Sequence, residues 1–237
     1  GEAAGLTLAQ LVEQYGAALL GHAGAQRAGG RFPLLVKLLD CAQWLSLQVH
    51  PNDAQAVELE GAGQNGKTEA WHILQAGEGA QIIAGMRAGV SAERLAQVVR
   101  EGSILEEAQF LTVKAGDTVM MPAGTIHALG PGLLVYEVQQ TSDITYRVFD
   151  WNRPLTAGRA LHIEKSLAVA NPAGMGQVRR AQVGAGRQTL ASCDYFRLEL
   201  LEWQGEMQLA GMGERFAALT VIEGEGEVAA DGGACRL

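Results

Sequence analysis

The sequence predicts a mainly β protein of the sandwich or jelly-roll class, with a few peripheral helices. Three observations carry that prediction. Short apolar runs recur along the chain, Gly-rich turns separate them, and only a few stretches repeat at helical spacing.

Leu6–Gly21 reads as a helix: Thr7 can cap it, Leu8, Leu11, Val12, Tyr15 and Leu19 recur at helical spacing, and Gly21 can stop it. GGRFP then breaks the chain before LLVKLLD, a candidate buried strand. In WLSLQVH, Leu45, Leu47 and Val49 alternate with Ser46, Gln48 and His50, which puts Gln48 and His50 on one strand face. DAQAVELE suits a helical turn. Thr68–Met86 reads as two strands turned at AGEG, Ser91–Gly102 as a second capped helix, and Leu111–Arg147 as a strand–turn–strand series.

Asn171–Arg187 is rich in Gly and Ala and is expected to be a linker. Beyond it, YFRLELLEW and FAALTVIEGEGEVAA read as strands joined by Gly/Glu turns. The expected organisation is a first domain over 1–170 with helical insertions, a linker over 171–187 and a partial C-terminal β domain over 188–237. No strand precedes the first helix and nothing closes the last strand pair, so the native chain is expected to continue past both ends.

The 237 residues suffice for a core of their own, and 48% hydrophobic content excludes a disordered chain. No apolar run reaches the roughly 18 residues of a membrane span, and GEAAGLTLAQ lacks the basic start of a signal peptide. Cys41, Cys193 and Cys235 lie far apart and outside any C-x-x-C. They are expected to be free, core-packing thiols in a reducing compartment, hence a cytoplasmic protein. A net charge of −8 argues against nucleic acid or an anionic membrane as partner. A small anionic substrate would need local cations or a metal.

GAGQNGKT, from Gly61 to Thr68, satisfies the phosphate-loop pattern G-x-x-x-x-G-K-[ST]. Its surroundings do not fit a nucleotide site, because a phosphate loop joins a buried parallel strand to a long helix. Here the preceding DAQAVELE is polar, the following TEAWHILQAG is short and strand-like, and the hydrophobic run ending in Asp precedes the loop. With 31 glycines in the chain, the pattern arises easily by chance.

A metal constellation is the better signal. GDTVMMPAGTIH fits G-x5-P-x-G-x2-H, a hairpin with turn glycines, a bend fixed by Pro122, and His127 on the inner face. His50 shares a face with Gln48, and Glu69 lies on the next strand. Two imidazoles and a carboxylate form a ligand set typical of catalytic zinc, and Gln48 adds a weaker neutral oxygen. His72 is three residues past Glu69 and so faces the other side, while His22 and His162 are expected to be structural or solvated. Asp143 and Asp150 read as loop-capping or ion-pairing residues.

The hairpin around His127 resembles the second motif of the cupin superfamily. WLSLQVHPND, GKTEAWHIL and PAGTIHALGPGLLVYEVQQTSDITYRVFDWNR, in that order, resemble the class I mannose-6-phosphate isomerases in their short bacterial form. The resemblance runs from about Leu6 to Ala170 and continues more weakly beyond. It implies a cupin jelly roll with one zinc ion per chain, ligated by Gln48, His50, Glu69 and His127. It further implies an active-site arginine at Arg147, a lysine at Lys67 and an acid at Glu137, where the segment is one residue longer than in eukaryotic relatives.

The reaction so implied interconverts mannose 6-phosphate and fructose 6-phosphate through an enediolate, with zinc as the electrophile. Glu137, Lys67 and a water on the metal are the candidate bases, and Arg147 either binds phosphate or stabilises the enediolate. The expected partner is a small phosphosugar, and the expected state is monomer or homodimer. Two rival readings are a cupin that binds a metal or sugar without catalysis, which has no need of Lys67 or Arg147, and the disfavoured nucleotide hydrolase.

Overall fold

Thr7 caps the first helix as the sequence suggests. Its hydroxyl accepts from the Gln10 N–H while the Gln10 side chain accepts from the Thr7 N–H, a reciprocal capping box at the start of α1 (Leu8–Tyr15). The helix stops earlier than Gly21. Gly16, at φ 45°, ends it, and α2 (Ala17–Ala28) follows with a kink at Gly21, φ 72°. Only glycine takes such angles without strain, so the apolar spacing continues across a break in the helix. The structure, a computed structural model, describes residues 4–154, 159–209, 214–230 and 233–236.

The chain divides into two compact units, Gly1–Phe32 with Met207–Leu237, and Pro33–Glu206. In the first, Val12 and Leu20 are buried against Leu19, Ala25, Phe32 and Phe216.

The second unit holds, in order, β1 (Leu34–Cys41), β2 (Leu47–Val49), α3 (Asp53–Glu60), β3 (Glu69–Ala76), β4 (Gln81–Met86), α4 (Ala92–Glu101), β5 (Ala108–Thr112), β6 (Asp117–Met121), β7 (His127–Leu129), β8 (Leu133–Gln140), β9 (Tyr146–Phe149), α5 (Ile163–Val169), β10 (Gln177–Arg180), β11 (Arg187–Ser192) and β12 (Arg197–Leu201). Among the described residues its strands form two five-stranded antiparallel sheets, β1-β8-β3-β6-β10 and β5-β4-β7-β2-β9, and the hairpin β11–β12. This is the mainly β, jelly-roll architecture expected. The strands on either side of AGEG are both present, but β3 and β4 belong to different sheets.

The sheets face each other across a core. Trp71, Ile73, Val119, Met121 and Val135 of the first pack with Ile82, Ala84 and Leu129 of the second. On the far side of the second sheet, Leu47, Val49, Ile83 and Val148 pack with Leu95, Val98 and Val99 of α4. Period-two alternation thus serves both faces of this sheet, and it sends Gln48 and His50 inward.

Three local expectations are corrected. LLVKLLD is not a buried strand: β1 is a sheet edge, and Val36 and Leu38 on its outer face are 37% and 62% exposed. The segment expected as a linker carries β10, whose pairing with β6 satisfies its backbone groups within the sheet. In FAALTVIEGEGEVAA the structure forms only β13 (Glu227–Ala230), paired with β14 (Gly233–Arg236). Residues 216–226 have no strand partner among the described residues, and a strand without a ladder leaves its polar groups to solvent. No described helix is long and apolar enough to cross a membrane. The cysteines are free; Cys41 is buried in the core, Cys193 is half-buried against the cluster of Ala70, Val138, Ala191 and Phe196, and Cys235 is exposed, so core packing fails for Cys235 alone.

Candidate active site and metal centre

Antiparallel register assembles the site from both sheets. In the second sheet Gln48 of β2 lies opposite His127 of β7 and Arg147 of β9. Directly opposed residues share a face, so the three line one cross-strand row, and His50 follows two residues after Gln48. In the first sheet Glu69 and Trp71 of β3 lie opposite Gln139 and Glu137 of β8, and Glu137 lies opposite Lys37 of β1. Lys67, two residues before Glu69, reaches the same side.

His50, Glu69 and His127 meet between the sheets, each about 1% exposed or less, with ligand-type atoms within 4.8 Å of one another. The two histidines are held in one tautomer. Each Nδ1 lies against a backbone carbonyl, Ile144 at 2.9 Å for His50 and Thr125 at 2.8 Å for His127. A carbonyl only accepts, so Nδ1 carries the proton and Nε2 presents a bare lone pair to the centre.

At that centre His127 Nε2 lies 3.2 Å from Glu69 Oε1, and His50 Nε2 lies 3.7 Å from Glu69 Oε2. Both carboxylate oxygens and His127 Nε2 are buried with no hydrogen-bond partner of sound geometry among the described residues. Lone pairs facing lone pairs repel, and the Lys67 ammonium beside Oε2 still leaves Glu69 Oε1 and His127 Nε2 facing each other with no proton between them. A cation among them reverses that repulsion, so the donor set fits a divalent metal with nitrogen and oxygen ligands.

Charge in the pocket agrees. Burial, reinforced by the nearby Lys67 ammonium, lowers both imidazoles below the usual histidine range, so both stay neutral. Burial alone would raise the Glu69 carboxyl, but the Lys67 ammonium overrides it and holds it well below the usual carboxylate range. The ammonium of Lys67 sits 2.9 Å from Glu69 Oε2 and 3.1 Å from His50 Nε2.

Glu137 forms the neighbouring wall. Its Oε1 accepts from Lys37 Nζ at 2.8 Å and its Oε2 from the Trp71 indole at 3.2 Å. Burial, then the charge of Glu69, raises its pKa, while the two lysines oppose that rise. Lys37 also donates to Gln139 Oε1 at 2.6 Å.

Arg147 is partly buried in β9; its Nη1 donates to the Ala160 carbonyl at 3.1 Å, and its Nε is buried without a partner among the described residues. Gln48, His50, Lys67, Glu69, His127, Glu137 and Arg147 therefore all lie on the inner faces. His72 is directed the other way, its Nδ1 on Thr118 Oγ1 at 2.8 Å. Asp150 is an ion-pairing residue, held below the usual carboxylate range chiefly by Arg159, with Arg153 adding to it.

Sequence reasoning missed Lys37, which sat inside an apolar run; an inward charge among LLVKLLD was the signal available. His162 takes the structural one of the two roles expected of it, since its Nδ1 accepts the Arg147 N–H at 3.1 Å.

The phosphate-loop letters have another explanation. Gly66 passes so close to the start of α3 that an added Cβ would lie 2.5 Å from the Asn52 carbonyl carbon and the Asp53 nitrogen. Its N–H donates to Asp53 Oδ1 at 2.8 Å, and the Lys67 N–H to the Pro51 carbonyl at 2.9 Å. Glycine is needed for close approach, and the approach delivers Lys67 to the centre. Gly66→Ala should therefore lower the thermal midpoint, by roughly 1–3 kcal/mol of stability, and draw Lys67 away from the centre. An unchanged melting curve would contradict the crowding.

Comparison with known proteins gives consistent matches. Residues 2–72 match the family model described as phosphomannose isomerase type I, catalytic domain. A mannose-6-phosphate isomerase of Streptococcus mutans serotype c is 39% identical over 202 residues, which is 83% of this chain and 63% of that protein. One from Bacillus subtilis is 38% identical over 230 residues, 94% of this chain and 70% of that protein. The crystal structure of the mannose 6-phosphate isomerase from Bacillus subtilis matches all of this chain and 75% of its own, with TM-score 0.84 and 34% identity. The chain spans 63% and 70% of the two curated relatives' lengths.

Proposed function

The chain belongs to the type I phosphomannose isomerase family, and on that premise we propose that it interconverts mannose 6-phosphate and fructose 6-phosphate with the aid of one zinc ion. The observation that carries the reading is the convergence of His50 Nε2, Glu69 and His127 Nε2 beside Lys67, Glu137 and Arg147. A site for metal binding alone has no need of such a surround of a lysine, an arginine and a second carboxylate.

Moving a proton between C1 and C2 of a sugar passes through an enediolate, so the site must take and return a proton and hold negative oxygen. His50, Glu69 and His127, with Gln48 as a neutral oxygen donor, would hold zinc, which when bound supplies a Lewis acid toward oxygen. Glu137 is the group we assign to the proton. Its burial raises the carboxyl above the ordinary range and so makes it a stronger base, and Lys37 balances its charge when ionised.

Lys67 places an ammonium beside the ligand set, close to where the reacting end of the sugar would lie. Arg147 offers a planar fork to oxygens, with Nε unpaired and Nη1 anchored. These cations answer the need that a net charge of −8 creates for an anionic substrate. In this reading the protein acts in the cytoplasm on a small phosphosugar, without nucleic acid or membrane.

Turnover of mannose 6-phosphate, measured before and after chelation and alongside metal analysis, tests the proposal. Zinc near one per chain and turnover abolished by chelator and restored by zinc are expected. Chelator-insensitive turnover would sink the zinc mechanism, and metal without turnover would favour a binding protein.

A further inference from the structure

Arg147 is gripped at three points by a short piece of chain that precedes α5. Its N–H donates to His162 Nδ1 at 3.1 Å, its carbonyl accepts from the His162 N–H at 2.8 Å, and Nη1 donates to the Ala160 carbonyl at 3.1 Å. His162 stands at the N-cap of α5 with φ −117° and ψ 55°, yet its side chain makes no capping bond. A side-chain cap there would ordinarily contribute about 1 kcal/mol. The ring has instead turned to the backbone of Arg147.

The tautomer follows from the donor. A peptide N–H only donates, so His162 Nδ1 is bare and Nε2 carries the proton. This is the reverse of His50 and His127, whose Nδ1 atoms carry protons against carbonyls. Burial, with Arg147 and Lys165 nearby, keeps the ring below the usual histidine pKa and so in its accepting form.

The same bonds fix which edge of the guanidinium is free. With Nη1 committed to Ala160, the donors left on one edge are Nε and Nη2, a fork matched to paired oxygens. Nε is buried and has no partner among the described residues. A buried donor left unpaired costs about 1–3 kcal/mol, and an oxygen brought to this edge would remove that cost.

We propose that His162 is a positioning residue for the isomerase reaction: it clamps the Arg147 peptide through Nδ1 and N–H and so aims the Nε–Nη2 edge at the anionic oxygens of the phosphosugar. The inference rests on the isomerase reading of Arg147 given above. His162 itself touches neither the ligand set nor the reacting atoms.

The test uses the metal-loaded full-length protein and two substitutions, His162→Ala and His162→Asn. Asn Oδ1 can stand where Nδ1 stands and accept the same N–H. The {1H}–15N NOE of the Arg147 Nε–H, assigned by its loss in Arg147→Lys, reads immobilisation without turnover. His162→Ala is expected to keep its metal, lose the rigid Nε–H signal and lose about 10- to 100-fold in kcat with a smaller change in KM. His162→Asn is expected to restore the signal and bring kcat within about threefold of the unsubstituted enzyme.

A rigid Nε–H and unchanged kcat in His162→Ala would overturn the assignment. So would a folded His162→Asn no better than His162→Ala. If the alanine variant does not fold, the asparagine variant decides alone. If the unsubstituted protein does not isomerise mannose 6-phosphate, the functional reading falls, and the NOE comparison still judges the hold of His162 on Arg147.

Discussion

His127→Ala should lose metal and turnover together. His127 Nε2 is one of three lone-pair donors at the centre, and its ring is fixed by a 2.8 Å bond to the Thr125 carbonyl. No other described His, Cys, Asp or Glu lies in that group to replace it. Loss of a group that merely orients a ligand typically costs 10–100-fold in metal affinity, so loss of the ligand itself should exceed about 100-fold. With the metal gone we expect kcat/KM to fall by about a thousandfold or more, roughly 4 kcal/mol of barrier.

Metal content after dialysis and turnover at saturating substrate are the two readings for His127→Ala, with a thermal melt to show that the fold survives. Full metal occupancy in the variant would contradict the ligand assignment. Intact turnover without metal would contradict the mechanism.

Arg147→Ala should separate what His127→Ala joins. Arg147 lies opposite Gln48 in register but bonds to Ala160 and His162, and makes no contact with the buried triad that holds it in place. The variant should keep its metal while kcat/KM falls about 10²–10³-fold, the usual cost of removing a preorganised donor from a developing oxyanion. Arg147→Lys should recover little of this, since an ammonium keeps the charge but not the planar fork. Loss of metal from Arg147→Ala would contradict the role assigned to it. So would full recovery in the lysine variant.

Much of this site was legible because it depends on strand alternation. Gln48 with His50, and Lys67 with Glu69, are two residues apart, and that spacing alone sends each pair to one face. The hairpin around His127 was legible through its glycines and Pro122. Lys37 was not, because its meaning depends on its pairing with Glu137, a hundred residues away, and register between distant strands leaves no local trace. For the same reason LLVKLLD could not reveal itself as a sheet edge, since an apolar run looks alike with one neighbour or two.

The helix boundary at Gly16 was hidden by apolar residues that keep their spacing on both sides of it. His162 lay in a segment without period, where only the fold brings its ring to Arg147. GAGQNGKT misled in the opposite sense. Its letters fit a phosphate cradle, but Gly66 serves a crossing of two backbones.

The ligand set draws on both layers of the sandwich: Glu69 comes from one sheet, and His50 and His127 come from the other. A bound ion would therefore act as a clasp between layers joined by apolar contact and by the bridge from Lys67 to His50. Its binding free energy adds to the stability of the closed sandwich, by about 4 kcal/mol when free metal stands a thousandfold above its dissociation constant. Parting the layers breaks the ligand set, so saturating metal should slow amide hydrogen exchange in β3 and β7 relative to the metal-free protein.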